Sequence, residues 1–173
     1  MTKFVIFLRG INVGGVRIAM SELKSCLQEA ELTNVKTYLQ TGNVTCESDK
    51  SAETIKTFTE KALSAQFNYK AFVLVYTQPE LEEIVKNYPW LESPPNTHRY
   101  AILWSDPKIQ SELLKFAQTN IQPDEKVASG KNVIYWQVPR GITVTSSFGK
   151  FLGKPKFKST TTNRNLNTLE KMI

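Results

Sequence analysis

The sequence has few of the residues that bind zinc: one histidine, His98, and two cysteines, Cys26 and Cys46. Tetrahedral zinc sites need three or four such ligands at short spacings, so the sequence predicts no metal site. Cys26 falls on the apolar side of a predicted helix and Cys46 in a predicted strand, where a free cysteine is usually a small core residue. His98 follows a proline-rich connector, where we expect an exposed side chain.

Catalytic motifs are missing as well. No Gly-x-Ser-x-Gly sequence marks a hydrolase nucleophile, and no paired carboxylates stand out for acid–base catalysis. The sequence therefore leaves any catalytic residue unknown and predicts no cofactor. It leaves open whether the protein is an enzyme.

Long apolar runs are absent, and the longest cover only residues 4–8 and 71–76. A membrane helix needs about 20 apolar residues, so the sequence predicts no membrane span. The first run is also too short for the core of a secretory signal, so we expect a cytoplasmic protein. A chain of 173 residues with 40% hydrophobic and 22% charged residues is typical of one globular domain or two small ones.

The positive charge is concentrated near the C-terminus. The chain contains 22 lysines plus arginines and 16 acidic residues. Within residues 140–173, however, seven basic residues stand against Glu170 alone. Such a segment is typical of a surface that meets phosphate, nucleic acid or an acidic partner. The alternative is a solvated lysine-rich surface without a partner.

The order of apolar patterns predicts the same fold twice. In the first half, apolar runs predict strands at residues 4–8, 35–39, 44–47 and 71–76, and helical spacing begins at Met20 and at Ile55. The order strand, helix, strand, strand, helix, strand is the ferredoxin-like motif. Thr77 and Glu80 have the spacing of a capping box and predict a short third helix.

The second half follows a stretch with three prolines, residues 89–97. It repeats the order, with a hairpin around Gly130, a helix at 146–152 and a last strand at 157–161. The sequence therefore predicts an α+β fold of two consecutive ferredoxin-like βαββαβ units plus a C-terminal helix. The predicted domains are a first unit over 1–88, a linker over 89–98, and a second unit over 99–173 with the basic tail.

The loop at residues 9–15, Arg-Gly-Ile-Asn-Val-Gly-Gly, is the first candidate ligand site. Its glycines, Gly10, Gly14 and Gly15, allow positive φ angles and a close approach of the backbone to a ligand. The loop leads into a helix N-terminus, which favours anions, and Arg9 suits a phosphate or carboxylate. Neither the Walker A nor the dinucleotide motif is present. The alternative is a tight strand-to-helix connection in which the glycines are needed only for the backbone conformation and bind no ligand.

Two further polar clusters extend the candidate site. Tyr38, Gln40 and Asn43 lie at the first predicted hairpin, where the two amides could orient a polar ligand; alternatively, Asn43 only tolerates a turn conformation. The other cluster lies in the basic tail and contains Thr162, Arg164 and Asn165.

This tail cluster is predicted at the start of the C-terminal helix, capped by Thr162 or Asn163. A cation there opposes the helix dipole, so Arg164 indicates a bound anion or an acidic partner. We expect the N-terminal loop and this helix start to meet in a cleft between the two halves.

These clusters resemble those of a bacterial family of uncharacterised proteins, domain of unknown function 1697. The resemblance rests on residues 8–15, Met20 with Leu23, residues 37–44, and residues 162–165 with Thr168. The family usually has Thr-Arg-Asn followed by Trp, whereas here Asn163 separates Thr162 from Arg164 and Leu166 stands in the Trp position. The resemblance implies an α+β fold of ferredoxin-like units and implies no activity.

Three functions follow from these observations. The first is binding of a small anionic, phosphate-containing ligand by the residues of the three clusters: Arg9, Gly10, Asn12, Gly14, Gly15, Tyr38, Gln40, Asn43, Thr162, Arg164 and Asn165. The second is weak nucleic-acid binding through the basic tail, although residues 43–47 lack the aromatics of an RNA-binding sheet. The third is a protein-interaction or oligomerisation module without catalysis, in which Trp90, Trp104 and Trp136 are partly exposed.

Overall fold

The structure, a computed structural model, describes residues 1–12 and 15–173. Two compact units divide these residues. The first contains Met1–Leu81 and Met172, and the second contains Glu82–Lys171 and Ile173.

The first unit is a ferredoxin-like sheet with two helices on one face. Its elements are β1 (Thr2–Arg9), α1 (Met20–Glu29), β2 (Thr33–Tyr38), β3 (Asn43–Ser48), α2 (Ala52–Phe67) and β4 (Phe72–Thr77). The sheet order is β2-β3-β1-β4, and every neighbouring pair is antiparallel. This is the order that the sequence pattern predicts for the motif.

The period of two along β1 divides its side chains between the two faces of the sheet. Phe4, Ile6 and Leu8 are buried in a core with residues of α1 and α2, among them Leu27 and Ile55. The intervening residues of β1, up to Arg9, therefore lie on the face away from the helices. Arg9 is the candidate site residue of β1 on this second face.

A third helix, α3 (Gln78–Lys86), follows β4 directly. The carboxylate of Glu80 accepts hydrogen bonds from the Thr77 N–H at 2.7 Å and from the Thr77 hydroxyl at 2.8 Å. The Glu80 N–H faces Thr77 Oγ1 at 3.4 Å. The predicted capping box is thus confirmed, and it starts the helix at the end of the strand.

The second unit repeats the topology. Its elements are β5 (Thr97–Trp104), α4 (Pro107–Asn120), β6 (Lys126–Gly130), β7 (Val133–Pro139), α5 (Ser147–Leu152), a 3₁₀ turn (Pro155–Phe157), β8 (Thr161–Asn165) and α6 (Leu166–Glu170). The sheet order is β6-β7-β5-β8, again antiparallel throughout. The predicted α+β fold of two ferredoxin-like units with a C-terminal helix is confirmed.

The end of the second unit differs in detail from the sequence prediction. The last strand is Thr161–Asn165, not residues 157–161, because Pro155 starts a 3₁₀ turn and Phe157 is buried in the helix-side core. The Thr-Thr-Asn-Arg-Asn run lacks the apolar alternation of a strand and pairs with β5 through its backbone. A polar edge strand of this kind leaves no hydrophobic pattern to detect.

The cap of the C-terminal helix is also different. Asn165 caps α6, and its side-chain oxygen accepts a hydrogen bond from the Asn167 N–H at 3.0 Å. The prediction that Thr162 or Asn163 caps this helix is wrong, since both lie in β8. Arg164 is likewise a strand residue, so the predicted conflict with the helix dipole does not arise.

Two of the three tryptophans expected at the surface are buried. Trp136 has no exposed area and Trp104 is 9% exposed, and both belong to the helix-side core of the second unit. Trp90 is partly buried. The prediction that Trp104 and Trp136 are partly exposed, which supported an interaction surface, is therefore wrong. None of the helices in the described ranges is long and apolar enough to span a membrane.

Candidate functional site

Arg9 ends β1 and lies opposite Phe72 of β4. Its side chain is partly buried on the sheet face away from α1 and α2. This burial lowers the pKa of Arg9, because the guanidinium loses hydration that stabilises its charge. An anion beside the guanidinium would offset that loss.

Two glycines flank the loop that follows Arg9. Gly10 has a φ of +75° and Gly15 a φ of +113°, and a Cβ added to either would meet nothing within 4 Å. The backbone angle, not crowding, therefore requires glycine at these positions. The space beside both residues is open to a ligand. Gly14, which the sequence also assigns to the site, lies outside the described residues.

Asn12 connects this loop to the β2–β3 hairpin. Its Nδ2 donates to the Gln40 carbonyl at 2.7 Å and faces the Ile18 carbonyl at 3.3 Å, and its Oδ1 accepts from the Ile18 N–H at 3.0 Å. Its own N–H donates to the Val16 carbonyl at 2.6 Å. The amide of Asn12 thus holds the loop in shape, a structural role that sequence reasoning did not assign to it.

Asn43 begins β3 and is fully buried. In the sheet it lies between Tyr38 of β2 and Phe7 of β1, which places it on the same face as Arg9. Its Nδ2 donates to the Tyr38 carbonyl at 3.1 Å and to Thr41 Oγ1 at 2.8 Å.

The turn before Asn43 has positive φ angles at Leu39 and Gly42, and Asn43 is not among the residues with positive φ. Asn43 thus follows the turn in extended backbone and contributes to it through its side-chain hydrogen bonds. Gln40 is exposed at the turn, where its backbone carbonyl receives Asn12. In the first unit, the fold thus places Arg9, Tyr38 and Asn43 on one sheet face.

The predicted tail residues lie in the second unit. Thr162 is opposite Leu103 and Arg164 opposite Ala101, so both lie on the sheet face away from the helix-side core. Arg164 donates from one guanidinium nitrogen to Thr162 Oγ1 at 2.6 Å and to the Asn163 carbonyl at 3.0 Å. Asn165 points to the other face. The expectation that these residues meet the N-terminal loop stays a prediction.

Neither cysteine has the properties of a nucleophile. Burial raises the pKa of Cys46 to about 12 and, with a smaller contribution from nearby Glu29, raises that of Cys26. Both thiols stay protonated near neutral pH, and only the thiolate reacts readily. Among residues 1–12 and 15–173, no group of three or more His, Cys, Asp or Glu side chains is arranged to hold a metal ion.

Sequence reasoning missed Gln137, a residue of β7 that is 1% exposed. Neither its Oε1 nor its Nε2 has a hydrogen-bond partner in the described part of the chain. The sequence carried a signal for it, since Gln137 is the one polar side chain in the otherwise apolar and aromatic run at residues 133–138.

The fold defines the class of protein: two ferredoxin-like α+β units in one chain. A family model described as "Protein of unknown function (DUF1697)" matches residues 1–135. The chain therefore belongs to this family, as the resemblance of its motifs predicts.

A solved structure of the conserved bacterial protein SP0830 from Streptococcus pneumoniae is similar over nearly the whole chain. The TM-score is 0.81 at 22% identity, with 99% of this chain and 96% of that one covered. At this identity the likeness supports the fold alone. An unknown protein from Galdieria sulphuraria covers 95% of this chain and 96% of its own at 12% identity, but its TM-score of 0.29 is too low to carry an argument. No curated protein matches the sequence.

Proposed function

We propose that the protein binds a small anionic, phosphate-containing ligand at the end of β1 in the first unit. The observation that supports this most directly is the partly buried guanidinium of Arg9, next to a glycine with open space beside its backbone. A phosphate oxygen pair matches the fork of the guanidinium, which can donate two parallel hydrogen bonds.

The desolvation of Arg9 favours such a ligand. Burial alone lowers the pKa of this side chain, which means that the fold holds the cation where water stabilises it less. A phosphate returns the lost stabilisation through charge-assisted hydrogen bonds, each worth about 1.5–3 kcal/mol. Held in place by the β4 pairing, Arg9 would contribute most of the binding energy.

The surrounding residues keep the site in one shape. The amide of Asn12 fixes the loop against the hairpin, and the amide of Asn43 fixes the hairpin itself. Because this geometry exists before binding, the ligand does not have to order the loop. Gly10 and Gly15 leave the approach to the backbone open. The proposal concerns binding, and whether Thr162, Arg164 and Asn165 contribute to the same ligand stays a prediction.

A thermal-shift screen tests the proposal. Inorganic phosphate, pyrophosphate, sugar phosphates and nucleotides are compared for the wild type and for Arg9→Gln, which removes the charge and keeps a polar side chain. A ligand at about 100 times its Kd stabilises by roughly 2.7 kcal/mol. For a chain of this size we expect a rise in Tm of about 5–10 °C.

The matched control is Arg17→Gln, because Arg17 is an exposed arginine of the same unit. We expect this variant to respond like the wild type and Arg9→Gln not to respond. The proposal is refuted if no anion raises the Tm of the wild type, or if both variants respond equally.

One observation favours a second candidate function, weak binding of nucleic acid by the basic tail. Lys154 Nζ lies 4.6 Å from the ring centroid of Phe151, and Lys156 Nζ lies 5.5 Å from the same ring. That ring is stacked on Phe116 with centroids 3.9 Å apart. Two lysines are thus held on one aromatic cluster, and one of them, Lys156, is also ion-paired with Glu112. They would present positive charge to a phosphate backbone.

This second candidate predicts binding that depends on salt and not on sequence. A labelled single-stranded oligonucleotide should bind at low salt and dissociate steeply as salt rises. Replacing Lys154 and Lys156 by glutamine should reduce the salt slope by about 2, whereas the same change at the exposed Lys24 and Lys36 of the first unit should not. Binding that persists at high salt would contradict it.

A further inference from the structure

The second unit contains a buried amide whose burial the protein itself does not explain. Gln137 is 1% exposed, and both polar atoms of its side chain lack a hydrogen-bond partner among the described residues. Buried polar groups in folded proteins are almost always hydrogen-bonded. An unpaired amide costs enough free energy that it points to a partner outside the chain.

The sheet places Gln137 between two cationic residues. In the register of the strands, Lys126 of β6 and Arg99 of β5 lie directly beside it. Tyr135 precedes it by two residues and shares its face, which is the face away from the helix-side core. The remainder of β6 on this face consists of the small residues Ala128 and Gly130.

An aromatic pair lies beside the amide on the β5 side. The ring of Tyr88 meets Tyr135 edge to face at 5.7 Å and carries the guanidinium of Arg99 at 5.6 Å. Tyr88 therefore contacts two neighbours of Gln137, Tyr135 on β7 and Arg99 on β5. Trp90 extends the surface, with its ring 5.3 Å from that of Tyr88.

Two of the polar groups around Gln137, the Tyr135 hydroxyl and the Arg99 guanidinium, have partners within the second unit. The Tyr135 hydroxyl donates to the Ile84 carbonyl at 2.7 Å. Arg99 donates to Asn167 and forms an ion pair with Glu170 at 3.2 Å, so its charge is balanced within the unit. Gln137 thus presents a neutral donor and acceptor beside aromatic rings.

We infer that Gln137, with Tyr88 and Trp90, forms a second ligand site that takes a neutral, flat heterocycle with an adjacent hydrogen-bond donor and acceptor. The amide of glutamine presents a donor and an acceptor side by side. It matches the N6 and N7 edge of adenine, which glutamine side chains bind with two hydrogen bonds. Aromatic side chains supply the stacking surface that bases prefer. All residues of this site belong to the second unit.

Adenosine is the probe, because it carries the base and no phosphate. Binding is measured by calorimetry and by quenching of tryptophan fluorescence, for which Trp90 is the partly exposed reporter while Trp104 and Trp136 are buried. We expect saturable binding of adenosine at millimolar concentration or below, with weaker binding of uridine. No binding of adenosine, or equal binding of uridine, overturns the inference.

Gln137→Leu tests the amide directly. This variant keeps the size of the side chain and removes its hydrogen bonds, so the affinity for adenosine should fall at least tenfold. The control is Gln118→Leu, at an exposed glutamine of α4, which should bind adenosine like the wild type. Unchanged affinity in Gln137→Leu overturns the inference. Trp90→Phe should remove most of the fluorescence change and keep the heat of binding; a fluorescence change that persists undiminished overturns the location.

The stability of the ligand-free protein gives an independent readout. If the amide has no partner within the chain, Gln137→Leu relieves a buried unpaired group, and the Tm should rise by about 2–4 °C. Such a rise also shows that the variant folds. A fall in Tm means that Gln137 is hydrogen-bonded within the protein, and it overturns the inference. Because adenosine has no phosphate, these results do not depend on the Arg9 experiments.

Discussion

The β2–β3 and β6–β7 hairpins occupy the same place in the two sheets. Each contains a buried side-chain amide, and the two amides differ in their hydrogen bonds. In the first unit, residues 39–42 connect β2 to β3, and Asn43 is buried directly after this turn. In the second unit, residues 131–132 connect β6 to β7, and Gln137 is buried further along the strand. The end of β2 and the longer turn supply Asn43 with a carbonyl and a hydroxyl, while Gln137 has no such partner in the described part of the chain.

The difference shows what makes a buried amide structural. Asn43 lies directly after the turn, where its amide donates to the carbonyl of Tyr38, the last residue of β2, and to the hydroxyl of Thr41. Gln137 lies inside a strand, where the backbone groups around it are paired with the neighbouring strands. The first amide thus stabilises its own hairpin, and the second is the one that we infer binds a ligand. The following predictions test this contrast, beginning with the largest effect.

The turn of the first hairpin should tolerate change least. A Cβ at Gly42 would lie 2.6 Å from Leu8 Cβ, and the residue has a φ of +72°. Gly42→Ala therefore combines a clash with a rigid neighbour and a backbone strain of about 1–2 kcal/mol. We expect the free energy of unfolding to fall by about 2–5 kcal/mol in urea titrations, since overpacking adds roughly 1–3 kcal/mol.

Gly10→Ala is the matched control for this change. Gly10 has a similar φ of +75°, but a Cβ there meets nothing within 4 Å. Only the backbone strain applies, so the loss should be about 1–2 kcal/mol. Equal losses in the two variants would show that the close contact with Leu8 does not constrain the first hairpin.

Apolar periodicity was enough to predict the fold, because the spacing of the apolar residues within β1, α1 and α2 itself indicates a strand or a helix. It was not enough for β8, whose five polar residues are held by β5. It also could not assign Asn12, whose partners are the carbonyls of Gln40 and Ile18. A polar residue in an apolar strand was visible at Gln137, but the lack of a partner is a property of the folded surroundings.

Exchanging each buried amide for leucine should give opposite signs. Asn43→Leu leaves the Tyr38 carbonyl and the Thr41 hydroxyl without this donor, and we expect a loss of about 1–3 kcal/mol. Gln137→Leu should instead gain about 1 kcal/mol, because it removes an unpaired amide. Urea titrations of both variants measure the difference. Destabilisation of both by similar amounts would remove the contrast between the hairpins.

The smallest prediction concerns Arg99, the arginine beside Gln137 in the second sheet. Arg99 is paired with Glu170. Glu170→Gln removes the balancing charge, so Arg99 should then attract a phosphate as Arg9 is proposed to do.

The measurement for this last prediction is the affinity ratio of adenosine monophosphate to adenosine, determined by calorimetry in Arg9→Gln so that the first unit does not contribute. Relative to Arg9→Gln alone, adding Glu170→Gln should raise the ratio roughly two- to fivefold, the range expected for one exposed ion pair. Glu170→Asp, which keeps the negative charge, should leave the ratio near that of Arg9→Gln alone. A ratio unaffected by Glu170→Gln would mean that the charge of Arg99 does not reach a ligand bound at Gln137.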